Sequence, residues 1–172
     1  MASGLIDTRE LTSLFFDKRP KQIAIDTIVI HSMYAKGCPD QDCPKTCLDV
    51  LNNHQVSSHY FIGRDGMIFT SVPTKFRAWH AGASKMPFKG DNRTNINDFS
   101  IGIEVIGDEI SDFTDEQYRS LKNLCDFLCS KNPICAIVSH RAIAPGRKVD
   151  PWPNFDWSRF KNGLSKKLKV SD

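Results

Sequence analysis

The chain has no apolar run approaching the roughly 20 residues that a membrane-spanning helix needs. Its first residues, Met1-Ala2-Ser3-Gly4-Leu5-Ile6-Asp7, lack the basic start and continuous apolar stretch of a secretory leader. A protein of the cytoplasm, with no membrane partner, is expected. Charge of one sign is also scarce. The 23 Lys and Arg against 20 Asp and Glu leave a net +3, and no basic run occurs before Lys166-Lys167, which reads as a solvated helix end. That balance argues against nucleic acid as a partner. Paired C-x₂-C knuckles are absent: Cys38, Cys43 and Cys47 are spaced without a fourth ligand, so a second metal site is disfavoured. In a leaderless chain the six cysteines read as reduced thiols. There is neither an internal repeat nor a low-complexity segment. With 172 residues and 40% hydrophobic content, the chain suffices for one domain spanning residues 1–172, expected as a monomer.

What is present is an alternation of strands and helices. Residues 23–30 form a β-branched run that carries His31 at its end, and residues 56–62 resume extended structure after a short helix over 45–53. Arg64-Asp65-Gly66 marks a hairpin turn with a return strand over 67–72, because Asp-Gly tolerates positive φ. Residues 85–97 read as a polar loop and 99–106 as a strand. Thr114-Asp115-Glu116-Gln117 is a capping box opening a helix over 114–131, with Tyr118, Leu121, Leu124, Cys125 and Leu128 on one face. A short strand over 135–138 leads to His140, and a helix opens at Phe155. This order predicts an α/β (α+β) layer architecture, a mixed sheet flanked by helices.

The stretch from Ser139 to Pro151 brings a histidine, a lysine and an aspartate to one short connection. His31 and His140 both end strands, and two such histidines can meet at one edge of a sheet, with Asp150 completing a triad. Histidine and carboxylate suit Zn²⁺, and three protein ligands leave a fourth position for water. Each residue also has a plainer reading. His31 alone fits a hydrogen-bonded structural histidine, Asp150-Pro151 fits a turn, and Lys148 fits a solvated side chain. Glu104 interrupts an apolar strand, where a carboxylate is costly unless it faces a cleft or solvent. Alternation puts it on one face with Gly102 and Ile106. In the functional reading Glu104 exchanges a proton with the attacking water and Lys148 stabilises an oxyanion.

Several ordered motifs extend the pattern. They are Ile30-His31, Ser58-His59-Tyr60-Phe61-Ile62, Arg77-Ala78-Trp79-His80-Ala81-Gly82, Asn97-Asp98-Phe99-Ser100-Ile101-Gly102-Ile103-Glu104, Ser139-His140, and Ile143 to Pro151 followed by Phe155-Asp156-Trp157. On these the chain, over about residues 28–160, resembles the AmpD-like N-acetylmuramoyl-L-alanine amidases, relatives of phage amidases and peptidoglycan recognition proteins. The resemblance implies His31, His140 and Asp150 as zinc ligands, Glu104 as general base and Lys148 as the polarising cation. It also implies cleavage of the amide between the lactyl group of N-acetylmuramic acid and L-alanine, in the cytoplasm, on 1,6-anhydromuropeptides recovered from wall turnover. Trp79 and His80 then belong to the cleft wall, with packing of His80 on Trp79 as its plainer role. Asn97 and Arg147 suit the amides and carboxylates of a muropeptide. Trp152 stands where a smaller residue is expected and would narrow the cleft or stack on a sugar.

Two rival readings stay open at this point. A non-catalytic peptidoglycan-recognition module would use the same cleft, although such relatives typically lack a ligand. A cysteine nucleophile paired with a free histidine would add a thiol peptidase activity.

Overall fold

The structure is a computed structural model that describes residues 7–172; the leader-free reading of residues 1–6 lies outside them. In chain order the elements are β1 (Thr8–Glu10), β2 (Phe16–Lys18), β3 (Thr27–Met33), α1 (Pro44–Asn53), β4 (Tyr60–Ile62), β5 (Ile68–Thr70) and β6 (Phe76–Ala78). A 3₁₀ turn (Ile96–Asp98), β7 (Ser100–Ile106), α2 (Asp115–Lys131), β8 (Ala136–Ser139), α3 (His140–Ile143), α4 (Trp157–Gly163) and β9 (Lys169–Ser171) follow. Seven strands form one mixed sheet in the order β1-β5-β4-β7-β3-β8-β9, and β2 pairs with β6 in a separate two-stranded ribbon. From β4 to β9 neighbouring strands run parallel; β5 turns back antiparallel on β4. Among the described residues no helix is long and apolar enough to cross a membrane.

Alternation sorts the two faces of β3 and β7. Ile28 and Ile30 with Ile101, Ile103 and Val105 join the α2 residues Tyr118, Leu121, Leu124, Cys125 and Leu128 and the α4 residues Trp157 and Phe160 in the larger core. The opposite face carries Val29, Phe61 and Ile106, covered by α1, α3 and the loop between β6 and β7. His31 and Glu104 fall on this second face, paired in register across β3 and β7. Helix α2 begins where its capping box places it. Thr114 Oγ1 accepts from Gln117 N, and Gln117 Oε1 accepts from Thr114 N. Gln117 also donates its amide to the carbonyl of Ile106 at 2.6 Å, tying the helix start to the end of β7.

Several boundaries differ from the sequence-based expectation, and the ladders explain why. Strand β3 runs over 27–33 rather than 23–30, because its partner β7 begins at Ser100, opposite Thr27, and continues to Ile106, opposite Met33. His31 therefore lies inside the strand and not just past its end. The return strand of the hairpin narrows to Ile68–Thr70, while the Gly63–Gly66 turn forms with Gly66 at φ +79°. Helix α4 starts at Trp157, since Asp156 caps it by accepting from Arg159 N. Strands β1, β2, β6 and β9 are three residues each and lack the apolar alternation that would announce them.

Truncating Leu121, which is fully buried in the α2 core, is expected to cost about 2–5 kcal/mol. Leu14, 81% exposed, should tolerate alanine within about 0.5 kcal/mol. Urea unfolding of the two variants measures both.

Candidate metal centre and active site

The parallel register of β3 with β7 and β8 brings three strands to one level. His31 stands opposite Glu104 on β7, and Ile30 opposite Ser139, the last residue of β8. Ser139 then caps α3 by accepting from Ala142 N, which turns the chain sharply and presents His140 beside His31. The connection after α3 returns Asp150, anchored where Arg141 N donates to the Asp150 carbonyl. Thus the edge at which the histidines meet is the row of carboxyl ends of the central parallel strands, where α/β folds commonly place their ligands.

His31 Nδ1, His140 Nδ1 and Asp150 Oδ2 form a nearly equilateral triangle. The two nitrogens are 3.0 Å apart and stand 3.1 and 3.0 Å from the same carboxylate oxygen. Atoms held about 2 Å from one tetrahedral zinc ion lie a little over 3 Å from each other, so the triangle has a suitable size. Its chemistry points the same way. His140 Nε2 lies 3.2 Å from the Ala81 carbonyl, which can only accept, so Nε2 carries the proton and Nδ1 turns a lone pair inward. That lone pair meets a carboxylate oxygen and another imidazole nitrogen in a buried place. A cation is the partner that satisfies all three, and the three side chains together constitute a candidate metal site.

Burial sets the protonation states around this triangle. Desolvation first, and His140 second, push His31 down to about 4, so it is neutral and able to ligate at physiological pH. Burial opposes ionisation of Asp150, yet the His140 and His31 imidazoles set against its Oδ2 outweigh it and hold the carboxyl well below the usual range. Glu104 moves the other way. The residue is 6% exposed, and burial together with the charge of Asp150 raises its carboxyl well above the usual value, with Lys148 pulling against them. Two carboxylates thus have opposite proton affinities within one cavity, the pattern of an acid or base beside a permanent anion. Glu104 Oε1 lies 4.0 Å from His31 Nδ1.

The cavity, about 270 Å³, is lined by all five of these side chains, Lys148 included. Met33, Leu51, Val56 and Trp79 give it apolar wall, and Arg147 with Lys148 give it positive charge. No cysteine lines it. Cys47 is pushed up to about 12 by burial and by the charge of Glu104, and burial within α2 raises Cys125 well above the usual thiol value, so neither offers a thiolate.

Of the residues expected to touch substrate, Trp79, His80, Asn97 and Arg147 line the cavity, and each also has partners within the fold. Trp79 lines the cavity, its ring 6.3 Å from that of Phe15. His80 is 8% exposed, and both its ring nitrogens are engaged internally, Nδ1 with His31 Nε2 at 3.0 Å and Nε2 with Ser100 Oγ at 3.1 Å. Asn97 Oδ1 accepts from the backbone N–H groups of His80 and Ala81. Arg147 Nη2 donates to the carbonyls of Ala81 and Ala83, both at 2.7 Å. Trp152 does not line the cavity: its indole donates to the Gly107 carbonyl and its backbone N–H to Ser32 Oγ, which braces the loop after Asp150 against β3 and β7. His59 is wholly buried. Its Nδ1 accepts from Gly102 N, so its Nε2 proton goes to the Phe76 carbonyl. Gly102 is the site residue that sequence reasoning passed over. A Cβ there would lie 2.6 Å from His80 Cγ, and an isolated glycine within an apolar strand was the available signal.

Comparison with known proteins gives this geometry a family. The profile of N-acetylmuramoyl-L-alanine amidases matches residues 20–153. The chain belongs to that family, whose named members hydrolyse an amide bond. It is 38% identical to the 1,6-anhydro-N-acetylmuramyl-L-alanine amidase AmpD of Haemophilus influenzae, over 91% of both chains. The fold matches a selenomethionine derivative of AmpD with a TM-score of 0.75 at 32% identity, covering 95% of this chain and 97% of that one. It also matches AmiD of Escherichia coli, solved with the substrate anhydro-N-acetylmuramic acid-L-Ala-D-γ-Glu-L-Lys, with a TM-score of 0.69 at 29% identity over 85% of this chain and 60% of that one.

A raised Glu104 makes the metal-free protein's stability depend on pH with a definite sign. The unfolded carboxyl ionises near 4.5 and the folded one only at higher pH, so the native state holds the proton longer and stability falls as pH rises between the two values. Glu104→Gln removes that loss. With chelator present, the variant should be more stable than the parent at pH 8 and indistinguishable at pH 4; parallel urea midpoints at both pH values would contradict the burial argument.

Proposed function

We propose that this protein is a zinc-dependent amidase that cleaves the amide between the lactyl group of 1,6-anhydro-N-acetylmuramic acid and L-alanine, acting as a monomer on wall fragments recovered in the cytoplasm. The observation that carries the reading is the convergence of two imidazole lone pairs and one carboxylate oxygen beside a second carboxyl that favours its proton. His31, His140 and Asp150 would hold the zinc. When bound, zinc lowers the pKa of water to about 7 and polarises a carbonyl, the two effects that amide hydrolysis needs.

The chain's own residues supply the remaining steps. Glu104, buried on the same face as His31, takes a proton from the attacking water and delivers it to the departing nitrogen of L-alanine. Its raised proton affinity suits it to both halves of that transfer. Lys148, on the cavity wall, places an ammonium where negative charge develops on the scissile oxygen. The apolar wall of Met33, Leu51, Val56 and Trp79 suits the sugar and lactyl face, and the cationic side suits the carboxylates of the stem peptide. The 1,6-anhydro form is favoured by the relatives named for it and by the anhydro substrate bound in AmiD. A purely binding role is less well supported, because it would give no use to a proton-favouring carboxyl buried beside three side chains that could hold a metal ion.

Purified protein loaded with zinc and incubated with anhydromuropeptide should release free stem peptide, detected by mass spectrometry, and should act more weakly on intact sacculi. Glu104→Gln should retain zinc and lose about 10²–10⁴-fold in kcat. Asp150→Ala should lose the metal itself. Absence of peptide release in the presence of zinc, or full activity of Glu104→Gln, defeats the reading.

A further inference from the structure

Residues 79–82 form no helix or strand, yet they touch both histidines of the triangle from behind. The His80 ring reaches His31 Nε2, and the next residue's carbonyl, that of Ala81, reaches His140 Nε2. Two adjacent residues therefore hold the outer nitrogens of both imidazoles. Their backbone is itself pinned twice, by Asn97 Oδ1 accepting from both N–H groups and by Arg147 donating to the Ala81 carbonyl.

The donors and acceptors are consistent in one direction only if the triangle is to hold a metal. His31 must leave Nδ1 unprotonated, so its proton sits on Nε2 and is donated to His80 Nδ1. His80 then carries its own proton on Nε2 and donates it to Ser100 Oγ, a hydroxyl able to accept. In the opposite tautomer His80 Nδ1–H would donate to His31 and force a proton onto His31 Nδ1, between the ligand atoms. The His80 ring has little freedom to leave this seat. It lies directly over Gly102, with its Cγ 2.6 Å from where a Cβ would be, and its neighbour His59 stacks edge-on at 5.6 Å.

We infer that His80 is a positioning residue of the metal centre: accepting the Nε2 proton of His31 at its own Nδ1, it holds His31 in the tautomer that offers Nδ1 to the ion, with Gly102 and Asn97 fixing the ring that does so. The inference rests on the zinc reading above. It assigns to His80 and Asn97 an architectural part in place of contact with substrate. Outer partners of metal-bound histidines fix both tautomer and ring orientation, and losing one typically weakens metal binding by about 10–100-fold.

His80→Asn is the informative variant, because an asparagine Oδ1 falls close to the position of the imidazole Nδ1 and can accept the same proton. His80→Leu and Gly102→Ala remove or displace the acceptor. Zinc affinity is measured by competition with a chromophoric chelator, and the His31 tautomer by long-range ¹H–¹⁵N correlation on protein labelled with ¹⁵N-histidine. Far-UV circular dichroism and melting of the metal-free protein report on folding. The expected result is His31 protonated at Nε2 and near-parental affinity in His80→Asn, against affinity weakened by about 10–100-fold in His80→Leu and Gly102→Ala. His80→Leu with parental affinity, or His80→Asn as weak as His80→Leu or with His31 protonated at Nδ1, overturns the inference; the His80→Asn measurement stands even if the other two variants do not fold. Failure of the parent protein to bind zinc, or equal binding by His31→Ala, would instead remove the zinc reading, so the two failures are distinct.

Discussion

The parallel pairing of β3 with β7 on one side and β8 on the other is the constraint from which the rest follows. Side chains alternate along a strand, so a shift of one residue in either ladder would exchange the faces. His31 would then no longer share a face and a level with Glu104, and Ser139-His140 would leave the sheet at another height. The register is fixed by what lies on the far side. Ile28, Ile30, Ile101, Ile103, Val105 and Ile137 interlock with the apolar face of α2, and a slip would bring Glu104 and His31 into that core at the cost of unpaired polar burial. The apolar layer thus determines where the chemistry stands.

This division lets one face carry groups that contribute little to stability. Three histidines, two carboxyls, Asn97 and a lysine are gathered on the face opposite α2, most of them buried. Buried polar groups are tolerable where each finds a partner, and the polar chain from His31 through His80 to Ser100 provides this without a water. Glu104 is the member left poorly accommodated, as its raised proton affinity records. A carboxyl placed in this way is costly to the fold and useful for moving protons, a combination typical of active sites.

Much of this was legible in the sequence. The capping box of α2 and the Asp-Gly turn were readable because each depends on local chemistry: a hydroxyl three residues from a glutamine, a glycine free to take φ +79°. His31, Glu104, His140, Lys148 and Asp150 stood out in the sequence, each with a plainer reading beside it, and the ordered motifs joined them into a set; all five line one cavity. The internal bonds of His80, Asn97 and Arg147 were not legible. Nothing in a sequence tells what a polar side chain in a cleft wall holds behind it, and all three line the cavity while also bonding to neighbours behind it. Trp152 illustrates the same gap. Its indole proton goes to the Gly107 carbonyl, which the sequence places 45 residues away. The three-residue strands β1, β2, β6 and β9 were invisible for another reason: their pairing is supplied by neighbours, not by any apolar period of their own.

Burial also answers how a metal seat built from histidines remains available. An exposed imidazole is half protonated near pH 6.5, and a proton on the donor nitrogen competes with a metal ion. At His31 desolvation lowers that value to about 4, and His59 behind it falls to about 3, again by burial first, with the neighbouring Arg19 guanidinium adding to it. His31 and His59 are therefore neutral at physiological pH, while burial makes Glu104 hold its proton to higher pH than an exposed carboxyl does. The same desolvation acts with opposite sign on the two kinds of group: it lowers the proton affinity of His31 and raises that of Glu104. A single physical cause, exclusion of water from one face of one sheet, prepares both the seat for a cation and the acid–base group beside it.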